Sequence, residues 1–125
     1  MTHFPDEDFR CHCGRPCTAA VGPAPALRDT LERLRARYGG PLIISSGNRC
    51  PAHNQAVGGV AASEHLAPGG CEAADLACPD GAGRFRLIQA ALAVGVRRLG
   101  VGHDFLHVGV STDHPQDIIW VYPGP

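Results

Sequence analysis

Among the seven histidines of the 125-residue chain, two stand where their neighbours can join them to a carboxylate on one surface. In the run Phe105-Leu106-His107-Val108-Gly109-Val110, a strand period of two points Phe105, His107 and Gly109 to one face. Leu106, Val108 and Val110 point to the other. The same alternation puts Asp75 on a small-residue face with Ala73 and Ala77, opposite Leu76, which leaves space for an ion. His65 follows Ser63-Glu64 and leads into the flexible run Leu66-Ala67-Pro68-Gly69-Gly70, so it is expected as a ligand carried on a loop. Two neutral imidazoles and one carboxylate suit one Zn²⁺ ion and leave its fourth position for water, the arrangement of a catalytic rather than a closed structural site. On spacing alone another reading stays open, in which His65 and His107 are only partly buried, hydrogen-bonded side chains.

Six cysteines, Cys11, Cys13, Cys17, Cys50, Cys71 and Cys78, allow three disulfides in an oxidising compartment or reduced thiols in a reducing one. The cluster Cys11-His12-Cys13-Gly14-Arg15-Pro16-Cys17 also offers soft ligands to a structural zinc, although Cys-x-Cys is tighter than the usual spacer.

The elements that must position these residues can be read from periodicity. Residues 1–24 are expected as an irregular, Cys-containing arm anchored by Phe4 and Phe9. Leu27, Leu31, Leu34 and Tyr38 recur at helical spacing and Gly39-Gly40 ends the run, which predicts an amphipathic helix from Pro25 to Tyr38. Leu42–Ser46 reads as a strand that delivers residues 46–49 into a loop, and Pro51–Val57 as a short helix. A second strand is expected over Ala73–Cys78, closed by Pro79-Asp80-Gly81, and a helix over Arg84–Val94 with Phe85, Ile88, Ala91 and Leu92 inward. Arg98–Val101, Phe105–Val110 and Ile118–Tyr122 follow as strands, with Asp113-His114-Pro115 as the turn between the last two. This order predicts an α+β fold over 1–125, a single small domain whose mainly antiparallel sheet carries helices packed on one side.

Composition narrows the function classes. Eleven arginines, with no lysine, balance twelve acidic residues for a formal net charge of −1, so the basic excess that neutralises a phosphate backbone is missing and nucleic acid is not the expected partner. The acidic N-terminus Met1-Thr2-His3-Phe4-Pro5-Asp6-Glu7-Asp8 has no signal-peptide core, and no run approaches the ~18 apolar residues of a membrane span. No membrane insertion is expected, the chain is expected to be cytoplasmic when made, and without an exposed apolar stripe or heptad it is expected to be a monomer.

Several separated motifs in one order carry a resemblance. Ser46-Gly47-Asn48-Arg49-Cys50-Pro51-Ala52-His53-Asn54-Gln55-Ala56-Val57-Gly58-Gly59, then Ser63-Glu64-His65, Ala73-Ala74-Asp75 and Phe105-Leu106-His107-Val108 resemble the M15 metallopeptidases of the Hedgehog/DD-peptidase fold. The Cys-rich opening and the Trp-Val-Tyr ending are similar to the phage- and prophage-associated branch. The resemblance implies His65, Asp75 and His107 as ligands of one catalytic zinc. It also implies peptides of the bacterial cell wall as substrates, cut by a D-alanyl-D-alanine carboxypeptidase or by an L-alanyl-D-glutamate endopeptidase of the endolysin type. Asp104, three residues before His107, matches the family's acidic-x-x-His arrangement and is expected as the general base; Glu64 and Glu72 are reserves, and a simple turn residue is the plainer reading of Asp104. Arg49 matches the cleft arginine that holds a scissile carbonyl or a substrate carboxylate by paired N–H donors. Ser63 matches the family serine and is expected to orient substrate or the ligand loop. His53 is expected to be structural, with His103 and His114 flanking the cleft.

The chain departs from that pattern in two places. Asp75 stands ten positions after His65, further than is usual in the family, so the segment 67–71 is expected to contain a short insertion and Cys71 stands where a glycine is common. Many members carry an aspartate two residues after the last histidine, where this chain has Gly109, and its loss is expected to weaken the support of the ligands. These departures favour a rival reading, a non-hydrolytic zinc-containing cell-wall-binding or phage structural module. A third reading is an interaction domain stapled by zinc at Cys11, Cys13 and Cys17. A serine or cysteine nucleophile is disfavoured by the lack of a Gly-x-Ser-x-Gly elbow.

Overall fold

The computed structural model describes residues 2–78 and 80–123. Helix α1 (Pro25–Tyr38) forms as its spacing predicts: Pro25 sits in the first turn, Leu27, Leu31 and Leu34 are buried, and Gly39 at φ 83° closes the C-terminus, its N–H donating to the Arg35 carbonyl. Strand β1 (Ile44–Ser46) is shorter than expected, and α2 (Pro51–Ala56) follows it. Strand β2 (Ala73–Ala77) leads to α3 (Gly81–Ala93), then β3 (Arg98–Val101), β4 (Phe105–Gly109) and β5 (Ile118–Val121).

Helix α3 begins three residues before the expected Arg84, because the Asp80 carboxylate accepts from Gly83 N at 2.6 Å and caps a glycine-rich first turn. Pro79, expected in the turn before it, lies outside the described residues. The inward face of α3 also differs from expectation. Leu87, Ala90 and Ala91 are buried, with Ile88 and Val94 partly so, whereas Phe85 and Leu92 are 68% and 53% exposed. The buried stripe is thus centred on Leu87, Ala90 and Ala91, and Phe85 and Leu92 lie to its outer side.

The five strands form one sheet in the order β1-β2-β4-β3-β5. The pairs β1/β2, β2/β4 and β3/β4 are antiparallel, and β3/β5 is parallel. The fold is α+β, as expected, with one correction: residues 113–115 do not make a hairpin turn between the last two strands. The whole connection 110–117 instead carries the chain from β4 across β3 to the outer side of β3. Arginines anchor it there, Arg98 donating to the Pro115 carbonyl at 2.6 Å and Arg97 pairing with both carboxylate oxygens of Asp117 at 2.7 Å.

Alternation gives the sheet two unlike faces. Ala74, Leu76, Leu99, Leu106 and Val108 join Leu27, Leu31, Leu34, Leu87 and Ala91 in the core, together with Phe4 and Phe9 from the arm. The opposite face carries Asp75 and His107, with Gly100 paired beside His107. A Cβ at Gly100 would lie 2.6 Å from the Trp120 ring and 2.7 Å from the Tyr122 ring, so glycine there allows both aromatics to lie over this face. Truncating Leu106, fully buried in the strand at the centre of the sheet, should remove transfer energy and leave a cavity. Leu106→Ala is expected to lower the unfolding free energy by about 2–5 kcal/mol in urea titrations, and a loss well below about 1 kcal/mol would contradict this account of the core.

Candidate metal centre

Register places the first two ligands. Asp75 and His107 are direct cross-strand partners on β2 and β4, and Asp75 Oδ1 lies 3.0 Å from His107 Nδ1. His65 is brought to the same oxygen by a short 3-10 turn, Glu64–Leu66, with its Nε2 at 3.3 Å. The turn is fixed by Ser63, whose Oγ accepts from His65 N at 3.2 Å. Of the two roles expected for Ser63, the one the geometry displays is orientation of the ligand turn. All three side chains are buried.

Hydrogen bonds on the far side of each ring set the tautomers. His65 Nδ1 lies 2.6 Å from the Gly47 carbonyl, which can only accept, so Nδ1 carries the proton and Nε2 offers a lone pair. That Nε2 is a buried atom without a hydrogen-bond partner. His107 Nε2 lies 2.8 Å from Glu64 Oε2. The other oxygen, Glu64 Oε1, accepts from Arg98 Nε at 3.0 Å and from Ser111 N at 3.1 Å, so this carboxylate is ionised and His107 Nε2 donates to it. When His107 is neutral, its Nδ1 then also presents a lone pair to Asp75. Two nitrogen lone pairs and an anionic oxygen thus face one another at 3.0–3.3 Å. Ligands held at about 2.0–2.1 Å around a tetrahedral ion are spaced by roughly 3.3 Å. The residues fit a divalent metal, and the orphaned His65 Nε2 is the atom that most requires one.

In the metal-free site the electrostatics favour a proton at the point where a metal would sit. Burial opposes the charge on Asp75, yet His107 and His65 outweigh it and hold the carboxyl well below the usual carboxylate range. Arg49 adds to this through Nη2, 3.1 Å from Asp75 Oδ2. Burial likewise opposes ionisation of Glu64, and His107 and Arg98 reverse it. For His107, burial disfavours the cation, while Asp75 and Glu64 raise its pKa above the ordinary histidine value. A proton and a metal therefore compete for the Nδ1 lone pair.

Glu64 corrects the expectation attached to Gly109. A Cβ built at Gly109 would collide with the Glu64 carboxylate, so the space beside the last ligand is filled from the 3-10 turn rather than from β4. The support is relocated, not lost. The insertion is also accommodated: Pro68 and Gly69 lie exposed at its tip, while Gly70, at φ +115°, packs on the Pro23–Ala24 backbone and Ala24 N donates to the Cys71 carbonyl at 3.0 Å.

The other expected residues are placed unevenly. Arg49 belongs to the site, its Nε on Ser46 Oγ and Nη1 on Asn54 Oδ1, both at 3.2 Å; two of its five N–H groups remain for a ligand. Asp104 is not held against the three ligands. It sits exposed in the β3–β4 turn, its carbonyl accepts from Cys78 N, and its carboxylate makes no hydrogen bond or ion pair among the described residues. His114 joins Ser111 Oγ at 2.8 Å to the Ala62 carbonyl at 2.6 Å, and His103 is exposed. Residues not anticipated as part of the site are Trp120 and Tyr122, whose rings lie 5.2 and 6.3 Å from that of His107, and Arg98, stacked 5.0 Å from Trp120. Their shared parity, Trp120 on β5 and Tyr122 just past its end, opposite a glycine on β3, was the available signal.

A buried His-Asp-His cluster on one face of a mixed sheet, with an arginine beside it, is a group that could hold a metal ion. The family model for Peptidase M15 matches residues 2–111, nearly the whole chain and every residue of this cluster, and the chain belongs to that peptidase family. No curated protein and no solved structure shows a significant match. Because Glu64 fixes His107, Glu64→Gln is expected to weaken binding of added Zn²⁺ at the histidine centre by roughly 10–100-fold. Chelator competition measures it, and an unchanged affinity in a folded variant would remove Glu64 from this role.

Proposed function

We propose that the protein is a zinc-dependent peptidase that hydrolyses peptidoglycan stem peptides, as a D,D-carboxypeptidase or an L-alanyl-D-glutamate endopeptidase. The observation that carries this reading is the convergence of His65 Nε2, Asp75 Oδ1 and His107 Nδ1, within a family of peptidases. When bound there, Zn²⁺ supplies Lewis acidity toward water and toward a peptide carbonyl. The chain's own residues do the rest. Glu64 and the Gly47 carbonyl keep the imidazole lone pairs aimed at one point. Arg49 offers its two remaining N–H groups to a scissile carbonyl or a terminal carboxylate.

Asp104 is the proposed general base. Three of the four lone-pair sites of Glu64 are engaged, by His107, Arg98 and Ser111, and the side chain is buried, which commits it to holding His107, whereas the Asp104 carboxylate is unengaged and close in sequence to His107. In this role it takes a proton from the attacking water and returns it to the leaving amine. Tyr122, whose phenol burial keeps protonated, is a neutral donor on the same side of the sheet.

The rival reading as a non-hydrolytic wall-binding module drew on Gly109 and on the insertion after His65. Glu64 and the outward-projecting Pro68-Gly69 tip answer both, so catalysis is favoured. No helix among the described residues is long and apolar enough to cross a membrane. We place the action at the bacterial cell wall, reached from the cytoplasm by phage- or prophage-type release, with the protein working as a monomer on wall peptides.

The test is release of amines from purified peptidoglycan and from short stem peptides, with the cut bond named by mass spectrometry. Wild type is expected to cleave and to stop when the metal is chelated. Asp104→Ala at matched zinc content is expected to lose about 10²–10⁴-fold in rate. Zinc held at the histidine centre with no wall peptide cut would contradict the enzyme reading and favour the binding module. Full activity of Asp104→Ala would move the base elsewhere.

A further inference from the structure

The histidine centre uses none of the cysteines, yet four of the six converge at a second place. Cys11, Cys13 and Cys17 lie on the irregular N-terminal arm, and Cys50 directly follows Arg49. Their four Sγ atoms all lie within 4.8 Å of one another, and all four are free thiols. Zn²⁺ bound by four thiolates at about 2.3 Å sets its sulfurs roughly 3.8 Å apart, so the quartet is already close to one coordination sphere. Two disulfides would instead draw the sulfurs into pairs at about 2.05 Å, with nothing to keep the pairs together.

Backbone groups support the quartet. Cys50 N donates to Cys11 Sγ at 3.3 Å and His53 N donates to Cys50 Sγ at 3.4 Å, the N–H···S contacts that orient ligating thiolates. Gly14, at φ +77°, turns the arm between Cys13 and Cys17. The remaining cysteines, Cys71 and Cys78, are buried in the core, where burial pushes the Cys71 thiol up to about 12; they are packing residues.

We propose that Cys11, Cys13, Cys17 and Cys50 bind a second, structural Zn²⁺ that staples the N-terminal arm to the loop carrying Gly47 and Arg49. Four protein ligands leave no open position, so this ion has no place for a reacting water. Its value lies in what the stapled loop holds. Asn48 N donates to the Phe9 carbonyl at 2.9 Å and Gly47 packs on the Phe9 backbone, next to the carbonyl that fixes His65 and the guanidinium that pairs with Asp75. The arm has no regular structure between Arg10 and Ala24, and a metal link closing 11 to 50 restricts it in the way a crosslink does.

The experiment counts zinc in the full chain by elemental mass spectrometry after loading and gel filtration. Wild type is expected to hold two ions per chain, His65→Ala one, and the double variant Cys11→Ser/Cys17→Ser one. Cobalt substitution of wild type gives an independent readout that needs no variant: four thiolates produce an intense sulfur-to-cobalt charge-transfer band in the near ultraviolet. That band is expected to persist in His65→Ala, and in wild type to vanish with the release of one ion on titration with a mercurial thiol reagent. A wild-type stoichiometry of one with that ion lost in His65→Ala, a cobalt spectrum without the sulfur band, or disulfide-linked peptides among these four cysteines in the purified protein would each overturn the proposal. Because the readout is metal content and spectrum, failure to cleave wall peptides leaves it unaffected.

Discussion

Three electron-pair donors crowd one buried point, and most of what surrounds them follows from that constraint. Asp75 Oδ1 has an imidazole nitrogen at 3.0 Å and another at 3.3 Å, and in their neutral forms both imidazoles already spend their protons on other acceptors. Without a cation, such an arrangement is held together against its own repulsion and desolvation. With one, the same distances become ligand spacing. The chain meets the cost by fixing every member from behind: Gly47 on His65, Glu64 on His107, Arg49 on Asp75, and Arg98 with Ser111 on Glu64.

The fold supplies that rigidity by dividing its labour between two faces of one sheet. Leu76, Leu106 and Val108 bind the strands to the helices, which locks the register that sets Asp75 opposite His107. The other face is freed for polar groups and roofed by loops and by the aromatics of β5. The parallel addition of β5 beside β3 brings Trp120 and Tyr122 over Gly100 and next to His107. Arg97 and Arg98, adjacent in sequence, tether that crossover through Asp117 and Pro115.

Local chemistry made much of this legible in the sequence. Helical spacing of Leu27, Leu31 and Leu34 with a terminal Gly39 marked α1 at both ends, and strand alternation alone placed Asp75 and His107 on a face away from the aliphatic residues. What required three dimensions was long-range. The partner of Gly109's empty space is Glu64, a residue 45 positions earlier, and nothing local identifies it. The parallel seat of β5 depends on ion pairs formed only after the crossover. Similarly, of the expected α3 stripe Ala91 and Ile88 turn inward, but the buried face is centred on Leu87, Ala90 and Ala91 and leaves Phe85 and Leu92 outside, so periodicity found the helix without fixing the centre of its buried face. Cys50 illustrates the same limit: its neighbours suggest a helix cap, and only the folded arm sets it beside Cys11, Cys13 and Cys17.

The central claim is that His65 Nε2, Asp75 Oδ1 and His107 Nδ1 share a cation. Anomalous diffraction recorded at the zinc edge from crystals of the zinc-loaded protein locates such an ion without reference to activity. The account predicts a strong anomalous peak bonded to those three atoms, with His107 Nε2 still donating to Glu64. An empty density at that point under saturating zinc, with the two histidines turned to other partners, would contradict it.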